Sequence, residues 1–265
     1  MPSTNYAYVN GRFVPEAEAT VSIFDRGFLY GDGVFETMRV YGGRIFRALD
    51  HFDRLSAGLE ALKIQSPLTQ EELRAACRVL IERNEVTEGV ARVYVTRDSI
   101  VATLRRYVAQ PVAIRAMIST VRIDPRLSRF KTANRLPYRL AQQEAVEASV
   151  NDAVLLNTTG RVVEFTTSNL FVVKDNELLT PPLSDGPLPG VTRRVVLGLA
   201  AEKGIAVREH SFGQEFLEKA DEVFATNSLM EISSVVTWSR WPKITLRLQD
   251  AYRVLVANEL SKPGP

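Results

Sequence analysis

Several things are scarce in this sequence. It holds one cysteine, Cys77, in 265 residues, so it has no intramolecular disulfide and no thiolate-rich metal site. Its two histidines, His51 and His210, are too few for a histidine-built metal centre, and no metal is expected. Neither sign of charge dominates. The 33 Lys plus Arg against 31 Asp plus Glu leave a formal net charge of +2, too small to point to nucleic acid or a membrane surface as partner. No apolar run is long enough to span a bilayer. The start, Met1-Pro2-Ser3-Thr4-Asn5, lacks the basic and apolar regions of a signal peptide. With so little cysteine, the expected location is the cytoplasm.

Lysine is scarce too. Only 7 of the 33 basic residues are lysines, and Lys131 stands alone between Lys63 and Lys174. It lies in Arg129-Phe130-Lys131-Thr132-Ala133-Asn134-Arg135-Leu136, between a phenylalanine and two small residues. An amine that can lose its proton can form a Schiff base, which a guanidinium cannot. Lys131 is therefore either a solvated surface lysine or a nucleophile.

The rest is ordinary for a globular chain, with 45% hydrophobic and 24% charged residues, enough for one large or two modest domains. Asn10-Gly11 between two β-prone runs predicts a hairpin over Tyr6–Val14. The glycine-rich stretch Phe24 to Thr37 has neither the lysine and spacing of a Walker motif nor a G-x-G-x-x-G pattern. Met38–Tyr41 and Arg44–Phe46 form a second hairpin about Gly42-Gly43. Leu49, Phe52, Leu55, Leu59 and Leu62 recur at helical spacing over about 50–63, with His51 and Arg54 about one turn apart. Thr69-Gln70-Glu71-Glu72 has the form of a capping box opening a helix to about Arg83.

Ala91–Thr96 and Val112–Ile118 read as strands. Between them, Arg97 to Gln110 reads as a loop carrying Arg97, Arg105 and Arg106. It is either a solvated basic loop or an anchor for a substrate carboxylate. A connector over 119–129 is expected to divide a small N-terminal α/β domain, 1–118, from a larger domain, 130–265. Pro137 opens a helix over Leu136–Ser149. Ala153–Asn157 and Arg161–Thr167 form a hairpin whose alternation puts Val162, Glu164 and Thr166 on one face and Val163 and Phe165 on the other. Glu164 lies there on a wet sheet face or is aimed into a site.

Another hairpin joins Leu170–Val173 to Glu177–Thr180. A helix starts at Gly190-Val191-Thr192-Arg193-Arg194 and closes at Gly204; its start either binds an anion or is satisfied by water and its own cap. Ile205–Arg208, Glu222–Ala225 and Ser234–Trp238 are strand-like, Leu246–Leu260 is a final helix, and Trp238 and Trp241 are expected to pack. Many hairpins with helices between them give an α+β protein.

Taken together, Asp25-Arg26 through Phe35-Glu36, His51-Phe52-Asp53-Arg54-Leu55, Lys131-Thr132-Ala133-Asn134, Glu164 with Ser168-Asn169-Leu170-Phe171, Gly190-Val191-Thr192-Arg193 and Thr226-Asn227-Ser228-Leu229 resemble the class IV aminotransferases. The resemblance covers about Tyr6 to Ser234. It implies a two-domain pyridoxal-phosphate fold of type IV, like that of the D-amino-acid aminotransferases, with pyridoxal 5'-phosphate as cofactor. It also implies roles. Lys131 would be the Schiff-base lysine and proton shuttle, and Glu164 the carboxylate facing the pyridine nitrogen. Arg54 and the Val191 and Thr192 amides would take the phosphate, with Thr226, Asn227 and Ser228 between phosphate and substrate. Tyr30 and Phe35 fall on the substrate side. Arg135 stands where branched-chain enzymes carry a tyrosine near the cofactor's phenolic oxygen, and Arg105 or Arg106 is expected to recognise the substrate carboxylate.

The resemblance implies transamination between an amino acid or amine and a 2-oxo acid, in a homodimer. Asn134-Arg135-Leu136 is a lyase-like spelling, so release of pyruvate and 4-aminobenzoate from 4-amino-4-deoxychorismate is the alternative. A non-catalytic binder of a phosphorylated ligand is a third reading.

Overall fold

A computed structural model describes residues 5–239 and 241–262. The chain groups into two compact units. The first ends at Val108 and takes in Lys131–Asn134 and the chain from Leu260; the second comprises Ala109–Phe130 and Arg135–Glu259.

The first unit opens with β1 (Tyr6–Val9) and β2 (Arg12–Pro15). Asn10 and Gly11 between them have φ of 47° and 89°, the left-handed pair that a type I′ turn requires. A short helix, α1 (Arg26–Tyr30), occupies the glycine-rich stretch; the Asp25 side chain caps it by accepting from the N–H groups of Gly27 and Phe28. Next come β3 (Gly33–Tyr41), β4 (Arg44–Ile45), α2 (Ala48–Ala61) and α3 (Gln70–Arg83). The Thr69–Glu72 capping box is present at the start of α3. On α2, Phe52, Leu55 and Leu59 are buried, but Leu49, expected on the same stripe, is 53% exposed.

The first unit's last two strands are β5 (Gly89–Thr96) and β6 (Ile100–Arg106). The second of these replaces half of the loop expected over Arg97–Gln110: residues 97–99 turn the chain and 107–110 remain outside the strand. The strands order as β2-β1-β6-β5-β3-β4, all antiparallel. Both long helices bury leucines and other apolar side chains in one core with Met38, Val93 and Val95.

In the second unit, the strand expected over Val112–Ile118 is split into β7 (Ala113–Ile114) and β8 (Ala116–Ile123). Arg115 between them donates its N–H to Asn151 Oδ1 and accepts from the Asn151 N–H through its carbonyl, so side-chain and loop bonds replace ladder bonds there. Residues 119–123, expected in a connector, complete β8. After it come α4 (Pro125–Ser128) and α5 (Leu136–Glu147). The strands β9 (Asp152–Asn157), β10 (Val162–Phe165), β11 (Asn169–Lys174) and β12 (Glu177–Thr180) follow as hairpins. Then come α6 (Val191–Glu202), β13 (Val207–Glu209), the short α7 (Glu215–Glu218), β14 (Glu222–Asn227), β15 (Glu231–Val235) and α8 (Lys243–Ser261).

The second sheet runs β7-β15-β14-β11-β10-β9-β8, with β12 pairing β11 and β13 pairing β12. The strand expected at Ser234–Trp238 therefore lies about three residues earlier. Trp238 packs partly buried on the core, whereas Trp241 is 78% exposed and does not pack as expected.

The alternation expected along β10 also fails, for a physical reason. The β9–β10 register shifts between Val162 and Glu164. A bulge adds one residue and reverses the sense of the pleat. Val162 and Phe165 consequently join one core, with Leu170 and Ala225, while Val163 joins another with Tyr138, Ala141 and Leu155.

Candidate active site

Each unit carries its own set of polar groups. In the first, Lys131-Thr132-Ala133 runs along the start of β3. Val34 and Thr132 form an antiparallel bridge, Phe35 N donates to the Lys131 carbonyl at 2.9 Å and Ala133 N to the Gly33 carbonyl at 2.8 Å. The main chain of Lys131 is thus part of a sheet edge. Its Nζ lies 4.7 Å from the Phe35 ring centroid, within cation–π range. Phe35 stacks in turn on Tyr94 of β5, with centroids 5.2 Å apart and planes 16° from parallel. Lys131 is half-buried, not the solvated surface lysine that was the other reading. Gly31, which ends α1 at φ 68°, passes so close to Asn134 that a Cβ there would lie 3.1 Å from its Cα; both its conformation and the space favour glycine.

One residue beyond Phe35, Glu36 is fully buried between two residues of α2. His51 Nδ1 lies 2.7 Å from its Oε2, and Arg54 grips both its oxygens, Nε to Oε1 and Nη2 to Oε2, each at 2.7 Å. His51 and Arg54 are three residues apart and so project from one face. Burial opposes the Glu36 charge, but the Arg54 guanidinium and the His51 bond outweigh it and hold the carboxyl down to about 2. Burial also pushes the His51 pKa down; the Glu36 bond and charge offset part of that, and the charges of Arg54 and Lys131 add to it. A neutral His51 beside a charged Glu36 carries its proton on Nδ1 and donates it.

Tyr30 and Arg105 are further from this geometry. Tyr30 is 66% exposed on α1, with the Arg26 guanidinium 5.3 Å from its ring centroid. Arg105 pairs with Glu16, and it and Arg106 lie exposed at the end of β6, opposite Val90 and Gly89. Phe35 and Tyr94 are level with Val101 instead. Four residues of strand, about 13 Å, separate Arg105 from that level, so this unit does not bring Arg105 or Arg106 to Lys131. The cause is the conversion of the expected loop into β6.

The second unit builds a row across three strands. Glu164 on β10 pairs with Asn169 on β11, and Asn169 with Thr226 on β14. Directly paired residues share a face, so the three side chains stand side by side over about 10 Å, two strand spacings. All are buried. Glu164 Oε1 accepts from the Tyr138 hydroxyl at 3.1 Å, and Oε2 from Asn169 Nδ2 at 3.1 Å and Leu188 N at 3.0 Å. The wet-face reading of Glu164 is thereby excluded. Thr226 Oγ1 and the neighbouring Ser168 Oγ are buried and have no hydrogen-bond partner among the described residues.

Helix α6 starts at Val191 with Gly190 as its N-cap and no side-chain cap, which leaves its first N–H groups without an intrahelical partner. A Cβ at Gly190 would lie 1.9 Å from Asn169 Oδ1, so a larger residue would drive the helix start away from the row. Val191 and Thr192 are both buried. Asn227 is occupied in its own turn: Oδ1 accepts from Leu229 N and Met230 N, each at 2.8 Å, and Nδ2 donates to the Thr167 carbonyl. Ser228 is half-buried in that turn. Arg135 donates Nη2 to the Thr166 carbonyl at 2.8 Å, and its guanidinium carbon lies 3.3 Å from the Tyr138 ring centroid.

Sequence reading missed Tyr94 and Tyr138 and gave Glu36, His51 and Asn169 no role of their own. Tyr94 was legible as one more apolar residue of a strand; only the register of β3 against β5 puts it on Phe35. Tyr138 lies one turn into the helix that Pro137 announces, but its partner is 26 residues away.

The amino-transferase class IV family profile matches residues 33–238. Among similar proteins, one from Methanocaldococcus jannaschii named as a branched-chain-amino-acid aminotransferase is 39% identical over 249 residues, 86% of this chain and 86% of that one. The D-alanine aminotransferase of Listeria monocytogenes is 31% identical over 252 residues, 86% of this chain and 85% of that one. Among solved structures, the branched-chain amino acid aminotransferase of Escherichia coli superposes with a TM-score of 0.90 at 28% identity, over 95% of this chain and 94% of that one.

Proposed function

Since this chain belongs to the class IV aminotransferases, pyridoxal-phosphate enzymes of fold type IV, we propose how its own residues carry out transamination between an amino acid and a 2-oxo acid. The observation that carries the assignment is the buried row of Glu164, Asn169 and Thr226 beside the uncapped start of α6.

The groups present fit a pyridine ring bearing a phosphate. Thr226 Oγ1 and Ser168 Oγ are buried donors awaiting an acceptor, and a helix start offers N–H groups and a positive dipole end to an anion. Glu164 is a buried carboxylate that accepts from the Tyr138 hydroxyl, the Asn169 amide and the Leu188 N–H, and an aligned carboxylate suits a protonated ring nitrogen. When bound, the cofactor supplies an electron sink for the bond broken at the substrate's Cα.

The chain does the rest. Lys131 would hold the cofactor through its Nζ, and the same amine would move the proton at the substrate's Cα. Glu164 would face the ring nitrogen and favour its protonated form. Val191, Thr192 and Thr226 would serve a phosphate, as would Arg54, whose fork Glu36 aligns; Asn227 and Ser228 would lie towards the substrate. Phe35 and Tyr94 present an apolar wall beside Lys131.

We also infer a homodimer in the cytoplasm. Ile23, Phe24, Phe28 and Tyr30 are each at least 66% exposed within eight residues of sequence, and an exposed apolar cluster of that kind marks an interaction surface. Among the described residues no helix is long and apolar enough to cross a membrane.

The test is a spectrophotometric screen of purified protein with D-alanine, L-leucine and (R)-1-phenylethylamine, each against 2-oxoglutarate. Pyruvate release from aminodeoxychorismate serves as the comparison. Lys131→Ala is expected to abolish both the absorbance near the visible edge and turnover; a variant that keeps both would refute the assignment.

A further inference from the structure

Glu164 is backed by a chain of contacts that reaches a cation. The Tyr138 hydroxyl donates to its Oε1, and the Arg135 guanidinium carbon lies over that phenol, 3.3 Å from the ring centroid. Arg135 is the N-cap of α5 and Tyr138 its third residue, so the start of the helix brings the two close. Arg135 is held in turn. Its Nη2 bonds the Thr166 carbonyl, and Thr166 is fixed by its N–H and hydroxyl, both donating to Asp152 Oδ1 at 3.1 and 2.5 Å. Burial, then the Glu164 charge, hold the Tyr138 phenol protonated well above its ordinary range, with Arg135 opposing only in part. The hydroxyl is therefore a donor throughout the working range of pH.

A cation against the face of a phenol draws electron density from the ring. In a buried chain of bonds each donor polarises the next, so Arg135 strengthens the bond that Tyr138 gives to Glu164. Bonds donated to a carboxylate favour its charged form and weaken it as a base.

We propose that Tyr138 is a positioning residue that sets the basicity of Glu164, and that Arg135 acts on Glu164 through Tyr138. The proposal rests on Glu164 being the partner of the ring nitrogen. A Glu164 that is a weaker base leaves the proton on that nitrogen. Without the Tyr138 hydroxyl, Glu164 competes for that proton and the ring loses electron-withdrawing power.

The experiment compares cofactor-loaded wild type, Tyr138→Phe, Arg135→Met and the double variant. Phenylalanine keeps the ring that packs against Ala141 and Leu155 and removes only the hydroxyl. Tyr138→Phe is expected to lower kcat about tenfold, the worth of one hydrogen bond to a charged group, with KM changed less than about twofold. The pH midpoint of the visible absorbance is expected to move by about one unit. Arg135→Met is expected to move both readouts the same way by less, and to add nothing in the Tyr138→Phe background.

Packing alone would not move the absorbance midpoint. An unchanged midpoint and kcat in Tyr138→Phe would overturn the proposal, as would Arg135 and Tyr138 effects that simply add. A wild type that neither absorbs near the visible edge nor transaminates would instead sink the functional reading and the proposal with it.

Discussion

Glutamine at position 36 would keep the shape of the glutamate and remove its charge, leaving Arg54 and His51 without the anion between them. The size of the loss follows from the carboxyl's depression from 4.5 to about 2. At about 1.4 kcal/mol per pH unit, the ionised group contributes roughly 3 kcal/mol to the folded state. Because the folded pKa is the lower one, that contribution is complete above pH 4.5 and is lost as pH falls toward 2. Urea unfolding of wild type and Glu36→Gln at pH 6 is therefore expected to differ by roughly 3 kcal/mol, about 1 M in midpoint. By pH 3 the gap is expected to narrow to about 1 kcal/mol. A gap below about 0.5 kcal/mol at pH 6, the range of an ordinary surface change, would refute the reasoning. So would an equal gap at both pH values, which would mean that Glu36 acts through shape and not charge.

Two other outcomes follow from the same unit. Gly31→Ala forces a side chain into φ 68° and against Asn134, and is expected to cost about 1–2 kcal/mol; an unchanged urea midpoint would contradict this. Cys77 is buried and its thiol is pushed up to about 12 by burial, so alkylation by iodoacetamide at pH 8 is expected only once urea unfolds the chain; rapid labelling of the native protein would contradict it.

Local signals carried most of the elements. Asn10-Gly11 demanded its turn, Thr69 and Glu72 their capping box, and Pro137 the start of α5, because each acts on the backbone within a few residues. What failed depended on partners far along the chain. Ile100–Arg106 is a strand because β1 and β5 both pair with it, although its two terminal arginines and polar turn read as a loop. The bulge in β10 is set by its register with β9, and it moved Phe165 to the side of Val162, away from Val163.

The site was legible unevenly, for the same reason. Lys131, Glu164 and Arg54 stood out by residue type and by the order of motifs. Tyr138 beside Glu164, Glu36 beside Arg54 and Tyr94 behind Phe35 are held by sheet register and helix packing, which no short window of sequence contains. Leu49 and Trp241 show the converse: apolar character predicted burial, but both stand exposed.

The main-chain bonds that tie Lys131 to β3 fix where its amine can travel. The peptide is stitched to a sheet at Phe35 and Gly33, so only the four-carbon stem can swing. A base rooted in this way approaches a planar reaction centre from one side and must return its proton to that side. Which hand results would then depend on which way round a substrate's carboxylate and side chain lie against that side.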